Sequence, residues 1–126
     1  MQVETLKIEG TQDIPEVSLD ESSGRIEFSG RSLPEDVEEV YDPILEWIDK
    51  YIENPKSLTH IIFRFDYFNT ASSKKILDII EKMKGVIAGG NDLKIDWYYV
   101  DNDEDMLDAG ESFSDFVDVP FNFISY

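Results

Sequence analysis

The chain has 126 residues, of which 28 are acidic and 11 basic, for a formal charge of −17; 41% are hydrophobic, 13% aromatic, and none is cysteine. So many core-forming side chains exclude a disordered chain and fit one domain over residues 1–126. The charge repels nucleic-acid phosphates and anionic lipid, so neither nucleic acid nor a membrane is an expected partner, and the lack of cysteine excludes disulfides, thiolate metal sites and a cysteine nucleophile.

The first residues, "MQVETLKIEG", lack the basic and apolar regions of a signal peptide, and no apolar run approaches the roughly 20 residues that span a bilayer. A cytoplasmic protein is expected. "VETLKIEG" and "PEVSLD" supply one or two strands. "RIEFSG" then alternates, with Ile26 and Phe28 on one side and Arg25, Glu27 and Ser29 on the other. In "PEDVEEVYDPILEWIDKYIEN", Val37, Val40, Tyr41, Ile44, Leu45, Ile48, Tyr51 and Ile52 follow helical spacing. Pro43 removes a backbone donor there, so either the helix kinks or a second helix restarts with Asp42 as its cap.

"HIIFRFD" puts Ile61, Phe63 and Phe65 on one side, with His60, Ile62, Arg64 and Asp66 opposite. In "SKKILDIIEKMKGVIAGG" the helical stripe is Ile76, Ile79, Ile80, Met83, Val86 and Ile87, and Gly89 or Gly90 ends it. "LKIDWYYV" sets Leu93, Ile95, Trp97 and Tyr99 against Lys94, Asp96 and Tyr98. The remainder, "DNDEDMLDAGESFSDFVDVPFNFISY", reads as an acidic loop, a short helix and a terminal tail. Strands joined through helices pair in parallel, and alternation implies one buried face. The expected fold is an α/β two-layer domain, a mixed sheet with helices packed on one face. Arg64, Lys94 and Asp96 belong on its solvent face, and Phe63, Ile95 and Trp97 against the helices.

The catalytic and ligand-binding patterns fail one by one. Asp101, Asp103 and Asp105 take the first three acidic positions of an EF-hand loop, but Met106 stands where the turn needs Gly and Ser112 where a bidentate Glu is required. His60 is the one histidine and has no hydroxyl partner at a motif spacing. "GVIAGGND" is followed by no Gly-Lys-Ser or Gly-Lys-Thr, and no spacing singles out a pair of carboxylates. The chain is therefore expected not to be an enzyme and to need no cofactor.

One stretch is richer. In "FRFDYFNTASSKKILDII" a strand meets a helix through Asn69, Thr70, Ala71, Ser72 and Ser73. Asn, Thr and Ser are preferred helix caps, yet one cap suffices. The junction follows the carboxyl end of a central strand, where α/β sheets place ligands. A helix N-terminus there, with Lys74 and Lys75 nearby, suits a phosphate.

With "GTQDIPEVSLD", "SGRSLPEDVEEVYDPILEWIDKYI", "YFNTASSK" and "WYYVDNDEDMLDAGESF" in this order, the chain resembles the SiaC family of bacterial regulatory phosphoproteins over nearly its whole length. The resemblance implies a fold like that of the STAS anti-sigma-factor antagonists, with phosphorylation on Thr70. Tyr67, Asn69, Ser72, Ser73, Lys74 and Lys75 then form the expected partner-binding set. The implied partners are a cognate Ser/Thr kinase, a PP2C-type phosphatase and a diguanylate cyclase. Unphosphorylated, the protein would bind and activate the cyclase and so control cyclic di-GMP and biofilm formation. Val100 and Asn102 depart from the family's acidic residues and leave Thr70 untouched. Two alternatives stand beside this reading, an anti-sigma-factor antagonist in a partner-switching pathway and a small acidic metal-binding or hydrolytic protein.

Overall fold

Alternating apolar residues make strands whose one face must be covered, and here six of them join. The computed structural model describes residues 4–126. Strands β1 (Leu6–Ile8), β2 (Glu16–Asp20) and β3 (Arg25–Ser32) pair antiparallel, as hairpin connections allow. Beyond β3, strands β4 (Leu58–Phe68), β5 (Asp92–Tyr99) and β6 (Asn122–Ser125) each add in parallel to the one before. The sheet order is therefore the chain order. Helices α1 (Val37–Tyr51), α2 (Thr70–Ala88) and α3 (Glu104–Val117) bridge the three parallel steps. Such crossovers are nearly always of one hand, so an order that never reverses brings all three helices to the same face.

The core lies between that face and the helices. Ile26, Phe28, Ile61, Phe63, Phe65, Ile95 and Trp97 meet Tyr41, Ile44 and Ile48 of α1, Ile76, Ile79, Ile80 and Met83 of α2, and Met106, Phe113 and Val117 of α3. The two-layer mixed fold expected from the sequence is the one observed. Trp97 packs under α3, because Gly110 lets the helix backbone sit directly over the indole. A Cβ at Gly110 would come within 2.6 Å of that ring.

Several local expectations need correction. The terminal tail is strand β6, and the short helix is the 14-residue α3, which begins inside the acidic stretch. Asp103 is its N-cap and accepts from the Met106 N–H at 3.1 Å, so the acidic loop is only the short turn at Asp101 and Asn102, and Asp103 and Asp105 belong to a helix start. α1 runs unbroken through Pro43 with Asp36, not Asp42, as its cap. Tyr41 and Ile44, on either side of the proline, are both fully buried, and that packing outweighs the lost backbone bond. Trp47 belongs to the buried face of α1, where it stacks on Tyr51 at 5.1 Å. Ile87 does not belong to the core stripe and is 47% exposed. Val86 holds the core-facing position of that last turn, and its neighbour lies about 100° around the helix.

Asp96 lies on the open face of the sheet, as alternation requires, but it is not solvated. It is 5% exposed, walled by Ile62 on β4 and Asn122 on β6. His60 Nε2 sits 2.7 Å from one carboxylate oxygen, and Asn122 Nδ2 donates to the other at 3.0 Å. Burial opposes ionisation of Asp96. The hydrogen bonds from Asn122 and His60 and the charges of His60 and Lys94 more than offset it, so the carboxyl titrates below its ordinary value. Because folding lowers this pKa, the carboxylate stabilises the fold above its unfolded value of about 3.9, and that contribution is lost as the pH falls from there through the lower folded value. The gap in melting midpoint between the native chain and Asp96→Asn is expected to be full above about pH 5 and to shrink below about pH 4. A gap independent of pH across that range would refute the assignment.

Candidate functional site

The carboxyl end of β4 is where the regular alternation stops. The pairing of β3 with β4 slips between Gly30 and Arg31, so that Gly30 opposes Phe65 while Arg31 opposes Tyr67. Gly30 takes φ +85°, a conformation that side chains disfavour, and makes the irregularity possible. The slip reverses the two residues that follow. Phe68 turns into the core, 6.2 Å from Trp97 and 6.0 Å from Phe113, while Tyr67 stands 47% exposed. The Arg31 guanidinium lies over the Tyr67 ring at 5.8 Å.

Asn69 then ends the strand and starts the helix. Its N–H donates to the Ser32 carbonyl at 3.0 Å, its backbone is extended, and its Oδ1 accepts from the Ser72 N–H at 2.9 Å. Among the polar residues of this junction, Asn69 is the cap. Asn69→Ala is expected to cost about 1 kcal/mol in urea denaturation, whereas Ser73→Ala should stay within about 0.5 kcal/mol. Equal losses would mean that the cap is shared.

Ser72 has a different task. It is fully buried, donates its hydroxyl to the Ser32 carbonyl at 3.0 Å, and accepts from Ser32 Oγ at 2.9 Å. With the Ser32 proton used there, the Tyr41 hydroxyl donates to Ser32 Oγ at 2.6 Å. Burial pushes the Tyr41 phenol up, against the opposing pull of its serine contacts, so it remains a neutral donor. This small network pins α2 and α1 to the end of β3. Ser72 therefore offers no surface to a partner, a correction to the set expected from the sequence.

Thr70 is the first residue of α2 and is exposed. The Ser73 N–H bonds to the Asn69 carbonyl at 2.9 Å and the Ser72 N–H is capped, which leaves the Thr70 and Ala71 N–H groups without an intrahelical partner. The first turns of α1 and α3 carry Glu38 and Glu39, and Glu104 and Asp105, but that of α2 carries no acid. In so acidic a chain, this is the helix start left with its positive end uncompensated. Lys74 is exposed, whereas Lys75 is held 3.6 Å from Asp42 and is less available. The structure thus brings Tyr67, Thr70, Ser73 and Lys74 to one accessible end of the sheet, adds Arg31, and removes Ser72. Arg31, Ser32 and Tyr41 carried no signal at this junction, since their partners lie 9 to 40 residues away. Among the described residues, no helix is long and apolar enough to cross a membrane, and no group of three or more His, Cys, Asp or Glu is placed to hold a metal ion.

Residues 8–126 match the family described as SiaC family regulatory phosphoprotein. An uncharacterized protein of Pseudomonas aeruginosa strain UCBPP-PA14 is 28% identical over 116 residues, 92% of this chain and 92% of that protein. The crystal structure of the diguanylate cyclase SiaD in complex with its activator SiaC, from Pseudomonas aeruginosa, matches at a TM-score of 0.89 and 26% identity, over 96% of this chain and 99% of that chain. Apo-SiaC from the same species matches at 0.87 and 25% identity, over 97% and 99% of the two chains.

Proposed function

The chain belongs to the SiaC family of regulatory phosphoproteins, and on that premise we propose that it is a non-catalytic switch which, unphosphorylated, binds and activates a diguanylate cyclase. The observation that carries this reading is the likeness, over nearly the full length of both chains, to a SiaC described as the activator of a cyclase in complex with it. Phosphorylation on Thr70 by a cognate Ser/Thr kinase turns the switch off, and a PP2C-type phosphatase resets it. Thr70 is suited to the role because its side chain is exposed and the cap beneath it is Asn69, so modification leaves the helix start intact. The chemistry belongs to the partners. The one histidine of this chain is engaged by Asp96, which supports a purely binding role.

Reconstitution tests the proposal. The purified chain, mixed with the diguanylate cyclase of its own organism, is expected to raise cyclic di-GMP synthesis, and the chain phosphorylated on Thr70 is expected not to. Equal cyclase output with and without the unmodified chain, together with no measurable binding, would overturn the reading.

A further inference from the structure

The stretches "GTQDIP" and "LPEDVEE" lie outside the Thr70 junction, yet they meet in space. The Thr11 hydroxyl accepts from the N–H groups of Asp13 and Ile14 at 3.2 and 3.1 Å, and the Thr11 N–H donates to the Ile14 carbonyl at 2.9 Å. That closes residues 11–14 into a turn. The Leu33 N–H then donates to the Asp13 carbonyl at 2.9 Å, and Arg31 Nε to the Gln12 carbonyl at 3.1 Å, so the turn is tied to the loop between β3 and α1. A cleft of about 590 Å³ lies between them, with an apolar floor of Ile8, Ile14, Pro34 and Val40.

Its rim is uniformly acidic. Asp13, Glu35, Asp36 and Glu39 are all exposed, and no Lys or Arg is among the described residues that line the cleft. Among the described residues, none of the four forms an ion pair. Asp36 caps α1 and Glu39 suits the positive end of that helix, but among the described residues the side chains of Asp13 and Glu35 have no hydrogen bond or ion pair. Of the nearby bases, Lys7 alternates to the other face of the sheet and Arg31 is held by Gln12. Four like charges around an apolar floor oppose folding by mutual repulsion, whereas a basic segment with an apolar anchor would complement both features.

We propose that this cleft docks a Lys- or Arg-rich segment of a partner protein, its apolar anchor seated on Ile8, Ile14, Pro34 and Val40. The inference goes beyond the cyclase reading, since it applies to any partner that carries such a segment. The cleft also connects to the Thr70 end through two consecutive residues. The Ser32 carbonyl holds the Asn69 N–H and the Ser72 hydroxyl, and the adjoining Leu33 N–H holds Asp13. One docked protein can therefore span both.

The test titrates the full, nitrogen-15-labelled chain with a synthetic amphipathic peptide of Leu and Lys at physiological ionic strength. Amide shifts are expected to concentrate in residues 8–14 and 33–40. Reversing two rim charges, Asp13→Lys with Glu35→Lys, is expected to weaken binding about tenfold. The pair Glu111→Lys with Asp115→Lys makes the same change in net charge on α3 and should leave affinity within about twofold. All four are exposed side chains that hold no hydrogen bond among the described residues, so both variants keep the fold. Shifts centred on α3 or spread over the whole acidic surface would overturn the proposal, as would equal weakening by the two pairs.

Discussion

Trp97→Ala is expected to lower stability by about 3–5 kcal/mol, a large part of the 5–15 kcal/mol typical of a domain this size. The indole is fully buried and touches the rings of Phe63 at 5.3 Å, Phe113 at 5.7 Å, Phe121 at 6.1 Å and Phe68 at 6.2 Å. Its N–H donates to the Met106 carbonyl at 2.9 Å. The side chain therefore joins β4, α3 and the approach to β6, and truncation leaves a cavity that three elements would have to collapse to fill. Gly110 gives a sharper check. In the native chain Gly110→Ala forces a methyl group into the indole and should cost about 1–3 kcal/mol. In the Trp97→Ala background the same methyl group enters vacated space, so the second change should cost far less. Urea denaturation of the four proteins measures this coupling. Additive losses, or a loss below about 1 kcal/mol for Trp97→Ala, would mean that the indole does not anchor α3 on the sheet.

The second large effect is expected on binding. A phosphate on Thr70 adds about −1.5 to −2 charges at neutral pH. The N–H groups of Thr70 and Ala71, which have no intrahelical partner, and the exposed Lys74 can receive that charge, and no acid in the first turn of α2 opposes it, so folding should barely respond. A partner packed on the same end of the sheet would instead meet a bulky dianion. Thr70→Asp carries part of that charge and should weaken cyclase binding by about tenfold or more, from like-charge and desolvation costs at the contact. Thr70→Ala should bind as the native chain does, resist the kinase, and keep its stability within about 0.5 kcal/mol, because Asn69 supplies the cap. Calorimetry of binding and melting midpoints of the three proteins decide the matter. Thr70→Asp binding as tightly as the native residue, with Thr70 unmodified in protein from its host, would sink the assignment.

The features legible in the sequence share a range of a few residues. Alternation over "HIIFRFD" and the stripe from Ile76 to Val86 report which side of an element is buried, because side-chain direction repeats every two or 3.6 residues. The one-sided sheet, the parallel β3–β4–β5 order and the polar junction after β4 all follow from such local periods and from the short reach of crossover connections. What a side chain does at that junction was not legible. Asn69, Thr70, Ser72 and Ser73 are chemically alike as caps, and Ser32, 40 residues before Ser72, is what draws that one serine into the interior.

The same division runs through the rest of the chain. By itself the sequence determined the layer architecture and the polar, acid-free start of α2, since both depend on residue type and spacing. Only the tertiary structure decided that Pro43 lies within one continuous helix, because burial of Tyr41 and Ile44 on both sides outweighs a missing backbone bond. It also made a strand of "NFIS", which has too few residues to hold an extended form until β5 offers its edge. Asp96 lost its solvent for the same reason. Alternation assigns a face, but the neighbours Ile62, His60 and Asn122 arrive from other strands, and they determine whether water reaches it.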